Sequence, residues 1–217
     1  MSALGAIIIR DIRLAWRAGG GALQGIIFFI LIGVFFSFAI GPNIALIASI
    51  APPVIWAAAL LATQLSLDQI WRADKEDGSL EILIEASDGL SLTALTKAIA
   101  HWLASLAPII VIAPALAIML NLPSTKYSPL ILSLLIGTPA LSLIGTFGAA
   151  LAISLPRAGL LTAILTGPLY IPVLIFGAGA IGNANGSANL MLLAAYSLFA
   201  AIISPLAAAA ALRFNLD

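Results

Sequence analysis

The chain has 217 residues, of which 62% are hydrophobic and 8% charged, with a mean hydropathy of +1.17, a formal net charge of zero and no cysteine. A soluble domain carries roughly 25% charged residues, so the composition excludes that class and identifies an integral membrane protein. The missing cysteine excludes disulfides, thiolate metal sites and covalent haem attachment through Cys-x-x-Cys-His, and nothing in the charge balance points to a nucleic-acid partner.

Residues from about 3 to 18 come before the first long apolar run. On a helical wheel they place Arg10, Arg13 and Arg17 on one side and Ile8, Ile12, Ala15 and Trp16 on the other. Such a helix is expected to lie in the interface, apolar side in the acyl boundary and arginines among the headgroups. Gly19, Gly20 and Gly21 then break it. No small-x-small cleavage site precedes soluble sequence, so the stretch is expected to be retained.

Six apolar runs follow at about 22–40, 46–67, 98–120, 129–154, 159–181 and 190–212. Each is near the roughly 20 residues that a helix needs to cross the hydrocarbon core. Arg10, Arg13, Arg17, Arg72, Lys75, Lys97, Arg157 and Arg213 fall on one side of the alternating connections, and only Lys126 on the other. This asymmetry places both termini and the longest connection in the cytoplasm. Pro139, Pro168 and Pro172 lie within the fourth and fifth spans. Prolines free backbone carbonyls and bend helices, which makes these three candidate hinges. They also fit a plainer reading, in which prolines and small residues serve close packing.

The longest connection, 68–97, holds more than half of the eighteen charged residues. Asp68, Arg72 and Glu76 are spaced four apart, so the second helix is expected to continue beyond the membrane with its own ion pairs. Asp77-Gly78 turns the chain, and Ser79 is placed to cap a short helix running to Ser87. That helix collects Glu81, Glu85 and Asp88 on one side, with Leu80, Ile82, Leu83 and Ile84 as an apolar complement. Its amphipathic character suits docking into a partner's groove rimmed with basic residues. Ser91 is a candidate cap for the third spanning helix, and His101 beside Trp102 is expected to be an interfacial anchor.

Several chemistries are missing. The chain has no Walker-type phosphate loop, so any ATP must be bound by another subunit. It has no His-Glu-x-x-His, no metal cluster and no nucleophile elbow, and no ionisable residue near the middle of a span to couple ion movement. The reading is a protein without catalytic, cofactor-binding or metal-binding residues of its own.

The run Ala51-Pro52-Pro53-Val54-Ile55-Trp56, continuing into Arg72 and Glu76-Asp77-Gly78-Ser79-Leu80-Glu81, resembles the CcmB family of haem exporter B subunits. Further matches are Lys97 with His101-Trp102, Gly137-Thr138-Pro139, Pro168-Leu169 with Ile171-Pro172, and Ser204-Pro205 with Ala209 to Arg213. The resemblance implies a permease subunit of an ABC transporter for cytochrome c maturation, with an ABC-2-exporter-like transmembrane domain in a bacterial inner membrane, or in the mitochondrial one if the chain is organellar. Besides the lipid bilayer it implies three protein partners: a CcmA-like ATPase subunit that binds ATP, a CcmC-like haem-handling membrane subunit and a small CcmD-like membrane subunit.

The expectation is therefore an all-α membrane domain of six spans, an N-terminal interfacial helix and a cytoplasmic coupling helix. Glu76, Asp77, Ser79, Leu80, Glu81, Leu83, Ile84 and Glu85 are expected to meet the ATPase. Haem is the candidate substrate, either exported or released on a loaded chaperone. A non-transporting scaffold of the maturation complex and an ABC-2-type permease for another amphipathic substrate remain open alternatives.

Overall fold

The computed structural model describes residues 3–17, 21–67, 69–86, 89–155, 158–182 and 185–214. Gly19 and Gly20, Asp68, Ser87 and Asp88, and Arg157 lie outside the described residues. The helices in order are α1 (Ala3–Trp16), α2 (Gly21–Ile40), α3 (Ile44–Leu67), α4 (Gln69–Glu76), α5 (Ser79–Ala86) and α6 (Leu90–His101). A π-helical turn (Trp102–Leu106) joins α6 to α7 (Ala107–Met119), and α8 (Tyr127–Ala152), α9 (Ala158–Gly182) and α10 (Gly186–Phe214) complete the chain. No strand occurs among the described residues.

Among the described residues, six segments are long and apolar enough to cross a membrane: α2, α3, the continuous α6–α7 unit, α8, α9 and α10. Helices are the expected solution, because a backbone in hydrocarbon must satisfy its N–H and C=O groups within the segment. α8 is the most enclosed, and it packs against α3, α6, α7, α9 and α10. α2, α9 and α10 turn large apolar side chains outward, among them Phe35, Phe38, Ile164, Ile175, Leu198 and Ile202. Such a surface belongs in lipid.

Close helix approach depends on small residues. A Cβ at Gly21 would stand 2.9 Å from the Ser66 Cα, and one at Gly25 would stand 3.1 Å from the Ala62 carbonyl oxygen, so α2 lies directly on the α3 backbone. Trp56, fully buried on α3, occupies the space that side chains at Gly137 of α8 and Gly177 of α9 would fill, and its indole N–H donates to Ser133 Oγ at 3.3 Å. A Cβ at Gly177 would sit 2.3 Å from the Trp56 ring. Gly177→Ala is therefore expected to cost about 1–3 kcal/mol by overpacking, seen as a lowered unfolding temperature in detergent.

The third span begins earlier than its apolar run suggests, at Leu90, and Gly89 rather than Ser91 precedes its first turn, with no side-chain cap. Its one departure from α geometry has a local cause. Pro108 lacks the N–H that would bond the Ala104 carbonyl, and in the turn just before it the Ala107 N–H reaches back five residues to the Trp102 carbonyl. Pro139, Pro168 and Pro172 lie inside the continuous helices α8 and α9.

Candidate coupling site

One end of the bundle carries nearly all the described charge: α1, α4, α5, the start of α6 and the end of α10. Lys126 is the one described basic residue at the opposite end. At the charged end α4 is docked sideways onto α8. The buried Trp71 donates its indole N–H to the Thr146 carbonyl at 3.0 Å, and Lys75 Nζ donates to the Ile153 carbonyl at 2.7 Å, where α8 ends. A cation at a helix C-terminus satisfies an orphan carbonyl and opposes the negative end of the dipole.

The centre of the site is an ion-pair cluster whose members lie far apart in sequence. Asp74 of α4 is fully buried, with Oδ1 2.5 Å from Arg10 Nη2 of α1 and Oδ2 2.5 Å from Lys97 Nζ of α6. Lys97 is also buried. Its ammonium makes further contacts with Asp11 Oδ2 at 2.9 Å and the Ile70 carbonyl at 3.1 Å, and lies 5.1 Å from the centre of the Trp71 ring. The ammonium donates hydrogen bonds to Asp11 Oδ2 and the Ile70 carbonyl, while Asp74 Oδ2 faces it as an ion-pair partner without an aligned hydrogen bond. Arg10 closes the group by pairing with Asp11 at 2.9 Å. Two cations and two carboxylates leave the cluster neutral, as a charged group withdrawn from water requires.

Arg10 was expected among lipid headgroups together with Arg13 and Arg17, and this is corrected. Its guanidinium turns inward to Asp74, while Arg13, Trp16 and Arg17 stay exposed. Partial burial alone would lower the Arg10 pKa, but the hydrogen bond and charge of Asp74, backed by Asp11, outweigh it and raise the value.

The α4–α5 hairpin turns at Gly78, whose φ of +75° suits glycine. Asp77 Oδ1 accepts the Ser79 N–H at 2.9 Å, so Asp77 caps the start of α5. Ser79, expected as the cap, instead donates its hydroxyl to Asp74 Oδ1 at 3.2 Å and ties α5 to the ion-pair cluster. Hydrogen bonding with Ser79 holds the Asp77 carboxyl below its ordinary value of 3.8. A depressed carboxylate stabilises the folded turn above the unfolded value, and the contribution is lost as pH falls through the folded one. The first turn of α5 is therefore expected to loosen below about pH 4, seen as faster amide exchange at Ser79 and Leu80. Asp77→Asn should remove the dependence.

Of the expected docking residues, Glu76, Asp77 and Glu81 are exposed and Leu83 is half-buried. Leu80 is corrected. It is buried with Trp71, Leu90, Ala94, Ala149 and Leu212 and so holds α5 to the bundle rather than facing a partner. Ile84 and Glu85 lie on the α5 backbone, with their side chains outside the description. Arg72 and Glu76 form an exposed i,i+4 pair at 3.9 Å.

His101 is also corrected. It is buried inside the third span, with Nε2 2.8 Å from Ser66 Oγ and Nδ1 2.9 Å from Ser142 Oγ. Ser66 gives its own proton to the Thr63 carbonyl at 3.0 Å, so its oxygen is left to accept from Nε2–H. The ring thus bridges α3 and α8 through the two serines. A cavity of about 580 Å³ between α1, α4 and α6 reaches this histidine from the charged end, lined among others by Asp11, Arg17, Arg72 and Lys97.

Sequence reasoning found the hairpin but not the cluster beneath it. The available signal was that Asp74 and Lys97 flank Trp71 and an apolar helix face in a chain with few charges.

Comparison with known proteins agrees with this architecture. The family model described as "CcmB protein" matches residues 2–215. "Heme exporter protein B" of Bradyrhizobium diazoefficiens is 48% identical over the full length of both chains. The protein of that name from Paracoccus denitrificans is 46% identical, covering 97% of this chain and 99% of its own. The one from Escherichia coli is 37% identical, covering 95% and 96%. With the match running over nearly its whole length and six spanning helices in place, this chain is a multi-pass membrane protein and belongs to the CcmB family.

Proposed function

We propose that the chain is the membrane permease subunit of an ABC-type haem exporter serving cytochrome c maturation, and that its α4–α5 hairpin receives the work of a separate ATPase subunit. The observation that carries this reading is the exposed acidic edge of Glu76, Asp77 and Glu81, presented on a hairpin between the second and third spans. This hairpin projects at the end of the bundle that holds all but one of the described basic residues, the end that positive-inside counting assigns to the cytoplasm. The names of the relatives, haem exporter protein B, point to haem as the substrate class.

In this reading both termini face the cytoplasm of a bacterial inner membrane, and α1 lies along the cytoplasmic surface beside the hairpin. The ATPase presents a groove with a basic rim, and a haem-handling subunit and a small membrane subunit complete the complex. Haem leaves either by translocation or by ATP-driven release on a loaded chaperone. Affinity purification of the chain from its native membrane tests the reading. It is expected to bring down an ATP-hydrolysing subunit, and deletion of the chain is expected to abolish covalent c-type cytochromes. A chain that purifies without any nucleotide-binding protein, from cells that still mature c-type cytochromes when it is deleted, contradicts it.

A further inference from the structure

We infer that Asp74 and Lys97 are positioning residues that clamp the α4–α5 hairpin to the lower half of the third span, so that movement of α5 turns α6 about the π turn at Trp102–Leu106. This rests on the coupling role of α5 proposed above and goes further by naming the path the force takes.

The first observation is that both oxygens of Asp74 face a cation. Asp74 Oδ1 is shared by Arg10 and the Ser79 hydroxyl, and Oδ2 faces Lys97, with both side chains shut off from solvent. Displacing α5 and α4 away from α6 would break the Asp74–Lys97 contact and divide a neutral four-charge cluster whose two innermost members are buried, which is costlier than moving the elements together. α1 joins the same body through Arg10 and Asp11. The second observation is independent. The third span is continuous from Leu90 to Met119; Pro114 also lacks a ladder N–H, but the register of the ladder changes at one place, ahead of Pro108. Mid-helix π turns are common at functional sites, and a loosened ladder is where a rod bends most easily.

The π turn is also the point where the span's contacts change character. Below it, Lys97 and His101 are held by polar partners on α1, α3, α4 and α8. Above it, α7 packs through apolar residues such as Ile109, Ala113 and Leu116. Trp102, at the junction, donates to Thr138 Oγ1 of α8 at 2.9 Å. A polar lower lever and an apolar upper rod, joined at one irregular turn, form a lever with a pivot.

The test uses the intact complex with its ATPase, in membranes and in detergent. Asp74→Asn/Lys97→Gln removes both buried charges and leaves Arg10 paired with Asp11. Pro108→Ala leaves the cluster untouched and restores the missing N–H. Each is expected to keep the ATPase bound and hydrolysing within about twofold of the parent while the yield of covalent c-type cytochrome falls at least about tenfold; Lys97→Arg, which keeps the charge, is expected to retain most of the yield. A merely structural role would lower complex and hydrolysis together. Cytochrome yield within about twofold of the parent in the intact Pro108→Ala complex overturns the inference, even if the double variant fails to accumulate. Undisturbed ATPase binding after charge reversal on α5 would instead overturn the coupling role and leave the pivot standing.

Discussion

Replacement of Lys97 by Met, with Asp74 left in place, is expected to reduce the folded protein in the membrane by an order of magnitude or more. Asp74 has no exposed surface and shares its two oxygens between Arg10 and Lys97. Removing one partner of a buried pair leaves an uncompensated charge, at a cost of about 3–5 kcal/mol. Methionine supplies comparable volume, so little of the loss comes from packing. The Trp71 ring also loses the cation lying 5.1 Å from its centre. Asp74→Asn/Lys97→Gln is expected to be much milder than Lys97→Met, since both charges vanish together and neutral groups remain to hydrogen-bond. Chemical unfolding in detergent of the two variants and the parent gives the comparison, and equal stability of Lys97→Met and the parent would show that the cluster is not closed as described.

Charge reversal of Glu76 and Glu81 together is expected to weaken ATPase co-purification at least about tenfold without changing the amount of chain in the membrane. Both side chains are exposed, and the one described partner is the long i,i+4 contact of Glu76 with Arg72, which at the surface contributes little. Reversing their sign against a basic rim turns attraction into repulsion, which affects both encounter and register. Leu80→Ala is the informative contrast. Leu80 is 7% exposed and belongs to the buried apolar cluster that includes Trp71 and Leu212, so its truncation is expected to cost about 2–5 kcal/mol of stability. Loss of co-purification in that variant would come with loss of the protein itself.

The six spans were legible because a bilayer imposes one simple length requirement on apolar sequence. The runs centred on α2, α8, α9 and α10 needed no further information. The third span was harder. Leu90 to Lys97 carries Ser91, Thr93, Thr96 and Lys97, which read as polar connection by composition, but three of these side chains are buried against neighbouring helices. Lys97 was counted as a topogenic charge because its partners, Asp11 and Asp74, lie 86 and 23 positions away, beyond any local period. The amphipathic character of α5 was visible, whereas the direction of Leu80 was not, since an eight-residue helix with four large apolar side chains can bury only some of them. His101 was misplaced for a related reason. Its two serine partners come from different helices, and a single histidine beside a tryptophan fits a membrane interface equally well on sequence grounds.

The chain has no cysteine, so a single Glu81→Cys places one unique thiol on the exposed edge of α5. Thiol-directed cross-linking from that position in native membranes, with identification of the captured protein, tests the central claim most directly. The expected product is a one-to-one adduct with a nucleotide-binding ATPase subunit, formed in high yield and lost when Glu76 is reversed in sign. A thiol that is readily labelled by water-soluble maleimide but captures no ATPase, in membranes where that ATPase is present and active, would contradict the role assigned to α5.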